Sequence, residues 1–223
     1  MNREERLEFL AKELKENEEK QEESQRVYLS GDALVLDLGF TESMKESEVN
    51  SMICQIRMTV GYLRKQKPQF FKLVCANVTE QMKSVLTKKG AKKWKVDLEG
   101  KGVRDMDASQ GKEIVVLSPD AEEVLDEVDC ARFVYVVGGL VDRTVLARQT
   151  LNMAGREGFR ACRLPVREYL KGIVDPSRLK KILNINTVIE IIHKRASGMD
   201  WTNCFLTSLP YRWTKKDDQD LAK

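Results

Sequence analysis

From residue 34 onward, short apolar runs alternate with stretches in which apolar residues recur every three or four positions. LVLDL (34–38), FKLVC (71–75), IVVLS (114–118) and FVYVV (133–137) are apolar through most of their length rather than at every second residue. That is the pattern of strands buried on both faces. Between them the period changes. Ser47, with Asn50 and Ser51, opens a helix that sets Val49, Ile53, Ile56 and Val60 on one side, and a second helix spans Thr79 to Thr87. Residues 92–98 suggest another strand, and Pro119 with Asp120 opens a short acidic helix. A helix across Leu146 to Arg156 stops at Gly158, a short strand ACRL ends at Pro165, and a long helix runs from Arg178 to Arg195.

Strands alternating with helices in this way predict an α/β domain whose mostly parallel sheet is covered by helices on both faces. Ahead of it, Leu7, Leu10 and Leu14 stand at helical spacing among charges, with Glu8–Lys12 and Glu16–Lys20 as i,i+4 pairs, until Ser30-Gly31-Asp32 breaks the pattern. This reads as a charged helix with a thin apolar stripe, packing loosely or reaching toward a partner. The chain thus divides into a helical extension (1–26), one α/β domain (27–212) and a polar tail (213–223), with no internal repeat.

A length of 223 residues, 42% hydrophobic and 33% charged, suits one domain with a small extension. No apolar run reaches the roughly 20 residues that span a bilayer. The opening MNREERLEFL has no signal-peptide core and is too acidic for a transit peptide. An intracellular protein is expected, nuclear or cytoplasmic, with the mitochondrion left open if a leader has been removed. The 5 cysteines, Cys54, Cys75, Cys130, Cys162 and Cys204, stand singly, and with a single histidine they argue against a disulfide framework or a metal site. That histidine, His193, reads as a helix-face residue near a helix C-terminus. The net charge of +3 is uneven, with nine acids against six bases in residues 1–26. Lys83, Lys88, Lys89, Lys92, Lys93 and Lys95 surround Trp94, and a second basic stretch runs from Arg143 through Arg148, Arg156, Arg160, Arg163 and Arg167 to Lys171. Either stretch suits phosphates or is a solvated helix face.

The segment richest in candidate chemistry is FVYVVGGLVDR (133–143). A buried strand running into Gly138-Gly139 brings the backbone to the carboxyl edge of a parallel sheet, where such folds bind ligands. The glycines permit a close approach or a positive φ, and Asp142 stands just beyond. Taken alone, this is a tight strand-to-helix turn with Asp142 capping the next helix. Neither G-x-G-x-x-G nor G-x-x-x-x-G-K-[ST] is present, so a dehydrogenase or a P-loop enzyme lacks its fingerprint. No G-x-S-x-G elbow and no zinc-deaminase pair occurs either.

Several ordered pieces then coincide: LDLGFTESMKESEVNSMICQIR, VVLSPDAEEVLDEVD, VYVVGGLVDR, RLPVREYL, and ILNINTVIEII followed by DWTNCFLTSLP. Together they cover about residues 32–210, and the chain resembles the position-nine tRNA N1-purine methyltransferase family, a branch of the SPOUT superfamily. The resemblance implies a SPOUT fold with its C-terminal part threaded into a trefoil knot, an exception to the rule against threaded loops. It implies S-adenosyl-L-methionine as cofactor, tRNA as partner, and a monomer.

Carried over by position, the cofactor pocket falls on Leu117, Val137, Gly138, Gly139, Leu140, Val141, Cys162, Leu164, Leu183 and Asn186. The apolar members of that set serve equally as plain core. Asp142 matches the family's catalytic carboxylate, as general base or as an orienting group. Since a free aspartate titrates near about 3.9, orientation suits it better than removing a proton from so weak an acid. Asp37 and Gln55 match polar positions near the target base, with Asp37 holding Gln55 or a second side chain; outside the resemblance they read as a strand-end cap and an exposed helix residue. Extracting a base from the folded tRNA core calls for phosphate contacts, for which Arg143, Arg148, Lys92 and Lys93 are the candidates. The acidic N-terminal helix departs from the basic leader the family implies. The alternative reading is an RNA-binding or scaffolding subunit of a tRNA-processing complex, with methylation secondary.

Overall fold

The apolar runs become strands because both of their faces find cover. In the computed structural model, which describes residues 3–66, 71–141, 148–174, 182–210 and 213, six parallel strands pair in the order β3-β2-β1-β5-β4-β6. They are β1 (Asp32–Asp37), β2 (Phe71–Ala76), β3 (Asp97–Leu98), β4 (Glu113–Leu117), β5 (Phe133–Gly138) and β6 (Arg160–Cys162). The helices are α1 (Arg3–Ser30), α2 (Glu46–Leu63), α3 (Glu80–Lys88), α4 (Gln149–Glu157), α5 (Val166–Leu170), α6 (Ile185–Ala196) and α7 (Trp201–Ser208).

Successive strand residues point to opposite faces, and the core divides accordingly. Leu34, Leu36, Leu73, Cys75, Val115, Leu117, Tyr135 and Val137 pack with Ile56 of α2, Ile189 and Ile192 of α6, and Phe205 of α7. Val35, Val74, Val116, Val134 and Val136 pack on the other face with Val103, Met106, and Met153 and Ala154 of α4. Each valine, leucine, isoleucine, phenylalanine or methionine among them contributes roughly 1.5–3 kcal/mol when fully buried, so the two-sided strands of the middle of the sheet anchor the domain. His193 is buried in α6, its Nδ1 3.4 Å from the Tyr62 hydroxyl.

Several expectations need correction. The acidic helix after Pro119 does not form: Leu125 N donates to Arg163 O and Arg163 N to Glu123 O, both at 2.8 Å, so this stretch runs extended beside the chain leaving β6. The strand expected over 92–98 shrinks to Asp97–Leu98, because Ala91 and Trp94 are drawn into the core by a 3-10 turn, Ala91–Lys93. The helix expected from Arg178 begins at Ile185, after Asn184 in extended geometry; residues 175–181 lie outside the described ones. α1 is longer than the spacing suggests, and Leu7, Leu10 and Leu14 are exposed on it. Among the described residues no helix is long and apolar enough to cross a membrane. The trefoil knot stays an implication of the resemblance, since the connections from β5 to α4 and from α5 to α6 both contain residues outside the described set.

Candidate active site

β1 and β5 lie side by side, yet the chain leaves β1 toward β2 and β3 on one side and places β4 and β6 on the far side of β5. The order reverses between β1 and β5, and the crevice beyond the carboxyl ends at such a switch point is where open α/β sheets bind ligands. Asp37, the last residue of β1, pairs in register with Gly138, the last of β5. Gly139 N then donates to Asp37 O at 2.7 Å. A Cβ on Gly139 would stand 2.5 Å from Leu38 Cδ2 and 2.7 Å from Asp37 O. Glycine is required here by close approach of two backbones, rather than by a positive φ.

The Asp37 side chain is 2% exposed. Its Oδ1 accepts from Gly39 N at 2.9 Å and from Asn77 Nδ2 at 2.7 Å. Of the partners expected for Asp37, the structure supplies a second side chain, Asn77, in place of Gln55. Gln55 is buried in α2 rather than exposed, and its Oε1 accepts from Ile185 N, the first residue of α6, at 2.8 Å. Its amide nitrogen lies 3.5 Å from Ser51 Oγ. Gln55 therefore ties α2 to the start of the helix that carries Asn186. Sequence reasoning missed Asn77; the only trace it leaves there is its residue type, since asparagine tolerates the left-handed φ of 54° found at this position.

The candidate cofactor residues separate by face. Leu117, Val137 and Cys162 are buried on the α2 and α6 side, with Val141, Leu164 and Leu183 packed partly buried against the same cluster. Leu140 packs on the α4 side, and a Cβ on Gly138 would meet Thr150 Oγ1 at 2.8 Å on that side too. Ser118 N donates to Cys162 O at 2.9 Å, which joins the ends of β4 and β6. Burial pushes the Cys162 thiol up to about 11, so it stays a neutral apolar wall. Asn186 Oδ1 is buried and has no hydrogen-bond partner among the described residues. An apolar surface with one unsatisfied acceptor suits a flat heterocycle that carries an amino group.

Of the candidate phosphate contacts, those among the described residues, Arg148, Lys92 and Lys93, are not gathered in one place. Arg148 caps α4 in left-handed geometry, with its N donating to Asp120 Oδ2 at 3.0 Å. Lys92 and Lys93 are exposed on the turn before Trp94, where Lys93 O accepts from the Arg64 guanidinium at the C-terminal end of α2. The 18 residues of α2 lead back from the carboxyl edge, so this turn stands about 27 Å away along the helix, near the amino edge of the sheet. Asp142 and Arg143 lie outside the described residues. Among the described residues no group of three metal-ligating side chains forms.

Residues 1–214 match the family described as tRNA (guanine(9)-N(1))-methyltransferase TRM10/TRM10A. The chain is 29% identical over 188 residues to tRNA methyltransferase 10 homolog B of Danio rerio, covering 81% of this chain and 59% of that protein. It is 28% identical over 191 residues to the tRNA (guanine(9)-N1)-methyltransferase of Schizosaccharomyces pombe, covering 84% and 60%. It thus spans about three fifths of the length of these curated relatives. Among solved structures, spTrm10(74) superposes with a TM-score of 0.69 at 26% identity, covering 80% of this chain and 94% of that one. A complex of full-length spTrm10 with SAH gives 0.67 at 25% identity, with the same coverage. A dual-specific Trm10 from Thermococcus kodakaraensis, at 20% identity and TM-score 0.61, shares the fold.

Proposed function

Since the chain belongs to the tRNA (guanine(9)-N(1))-methyltransferase TRM10/TRM10A family, we propose that it methylates N1 of the purine at position nine of tRNA, using S-adenosylmethionine and acting as a monomer. The observation that carries the reading is the β1/β5 switch point, where a buried carboxylate, two close-packed glycines and an apolar wall meet at one edge of the sheet.

The residues present fit the cofactor. Leu117, Val137, Cys162, Leu164 and Leu183 offer the apolar slot that adenine and a methionine stem need, and the unpaired Asn186 Oδ1 is an acceptor for the adenine amino group. When bound, S-adenosylmethionine supplies a methyl already carried on a sulfonium, so no side chain has to activate it. The chain's own task is to hold purine N1 in line and exclude water, which by orientation alone removes much of the barrier. Asp37 presents to the site a carboxylate anchored through one oxygen, whereas Gln55 acts by fixing the start of α6 and so holds a wall of the site. Asp142, which follows β5 in the sequence that leads to Arg148 and α4, is the carboxylate assigned to the N1 proton or to orienting the base edge.

The test is transfer of labelled methyl from S-adenosylmethionine to unmodified tRNAs with G9 or A9, comparing the unaltered protein with Asp142→Asn. Label at N1 of residue nine, lost or slowed in the variant while its fold and cofactor affinity persist, is the expected result. Cofactor-independent tRNA binding with no transfer to any tRNA would replace this reading by the RNA-binding subunit.

A further inference from the structure

Asn77 has a geometry that core packing does not call for. It follows the last residue of β2, one strand away from Asp37, and takes a left-handed φ of 54°. Its backbone N donates to Lys101 O at 2.9 Å, and the next residue's N donates to Glu99 O, also at 2.9 Å. Its side-chain Nδ2 reaches Asp37 Oδ1 at 2.7 Å, the same oxygen that accepts Gly39 N. The connections after β1, β2 and β3 therefore meet at one amide, at the carboxyl edge beside Gly138 and Gly139. Both bonds fall on Oδ1, and among the described residues none is made to Oδ2. The Asp37 carboxylate is thus fixed in rotation, with Oδ1 committed to the protein and Oδ2 without a hydrogen bond among the described residues.

Resting on the function proposed above, we infer that Asn77 is a positioning residue for methyl transfer: it locks the Asp37 carboxylate so that Oδ2 meets the target purine edge in one orientation. The residue type is tightly chosen. Glycine would accept the φ but supply no donor, and aspartate would set two carboxylates within hydrogen-bond distance. Gly39 belongs to the same lock, since a Cβ there would stand 3.2 Å from Asp37 Oδ1 and 3.4 Å from Asn77 Nδ2. The locked pair works on transfer rather than on cofactor binding, because the apolar wall and Asn186 are carried by other elements.

The test uses Asn77→Gly and Asn77→Asp, with single-turnover methyl transfer, tRNA affinity and cofactor affinity measured across pH. Among the described residues, charged side chains on the connections around the pair include Glu42 and Lys45 after β1, Glu80 at the start of α3, and Glu99, Lys101, Arg104 and Asp105 after β3, with the Lys101 ammonium drawn to Asp107 Oδ1 at 3.2 Å; all of them are common to every variant, so ratios to the unaltered protein cancel their titration. Asn77→Gly is expected to lower the transfer rate by about tenfold or more, the size of one charge-assisted hydrogen bond, with both affinities kept. Asn77→Asp is expected to be slower still at high pH, and its rate relative to the unaltered protein should rise as pH falls, because a shared proton lets the introduced carboxyl donate to Asp37 as the amide did. A loss of fold alone would not produce that recovery. A flat ratio with pH, or normal transfer by Asn77→Gly, overturns the inference while leaving the methyltransferase reading intact; no transfer by the unaltered protein overturns both.

Discussion

Replacing Gly139 by alanine puts a methyl group where two backbones already touch. The new Cβ would lie 2.7 Å from Asp37 O and 2.5 Å from Leu38 Cδ2. The leucine end can turn away, but the carbonyl belongs to β1 and accepts the Gly139 N–H at 2.7 Å. Restoring ordinary contact requires the two strand ends to part by roughly 0.7 Å, which breaks that hydrogen bond. Losing the bond costs about 1 kcal/mol and the overpacking about 1–3 kcal/mol, for a total near 3 kcal/mol. In a domain of this size that lowers Tm by roughly 6–12 °C. Gly138→Ala is the internal control, because its Cβ would meet the rotatable Thr150 side chain at 2.8 Å rather than backbone, and it should cost about 1 kcal/mol. Thermal unfolding and calorimetric titration with S-adenosylmethionine measure both, with Gly139→Ala expected to lose cofactor affinity as well as stability. Equal Tm for the two variants, or unchanged stability in Gly139→Ala, would refute the close-approach argument.

Further outcomes follow from the same geometry. Gln55→Leu leaves the buried Ile185 N–H without an acceptor and should cost about 1–3 kcal/mol in urea unfolding, with Gln55→Glu restoring most of it. Asn186→Leu removes an unpaired buried acceptor, so the free protein should gain up to about 1 kcal/mol while cofactor affinity falls about tenfold, read by unfolding and by titration. Burial raises the thiols of Cys75 and Cys162 to about 12 and about 11, which keeps them protonated and unreactive. At about pH 8, a thiol reagent should therefore modify exposed Cys54 first and reach Cys75 and Cys162 only on unfolding; early modification of Cys162, located by mass spectrometry, would contradict its place in the wall.

The sheet was largely legible because FVYVV, LVLDL, IVVLS and FKLVC are apolar on both faces, and few structures other than a covered parallel sheet absorb such runs. What misled was composition read without tertiary context. The acids after Asp120 look helical, yet their backbone is claimed by the strand end at Arg163. Trp94 and Val96 look like strand residues, yet Trp94 reaches the core from a 3-10 turn. α5 and α7 escaped notice because five and eight residues give too few periods to register. At the candidate site, the glycine pair stands out in the chain's own motif order, whereas Asp37 is singled out by the family resemblance alone. The Asn77–Asp37 lock shows in neither, because its partners are 40 residues apart and its signature is a backbone angle. Gln55 shows the same limit: the sequence offers a polar residue in an amphipathic helix, and only the fold turns it inward to Ile185.

The most direct measurement of the central claim is site-resolved detection of methylation on two tRNAs that differ only at residue nine, one with a purine and one with a pyrimidine, after incubation with the protein and S-adenosylmethionine. An N1-methylpurine is expected at residue nine of the first, found by nucleoside mass spectrometry and by a reverse-transcription stop at that position, with no product on the second. Methylation at another residue, or equal labelling of both tRNAs, would contradict that claim.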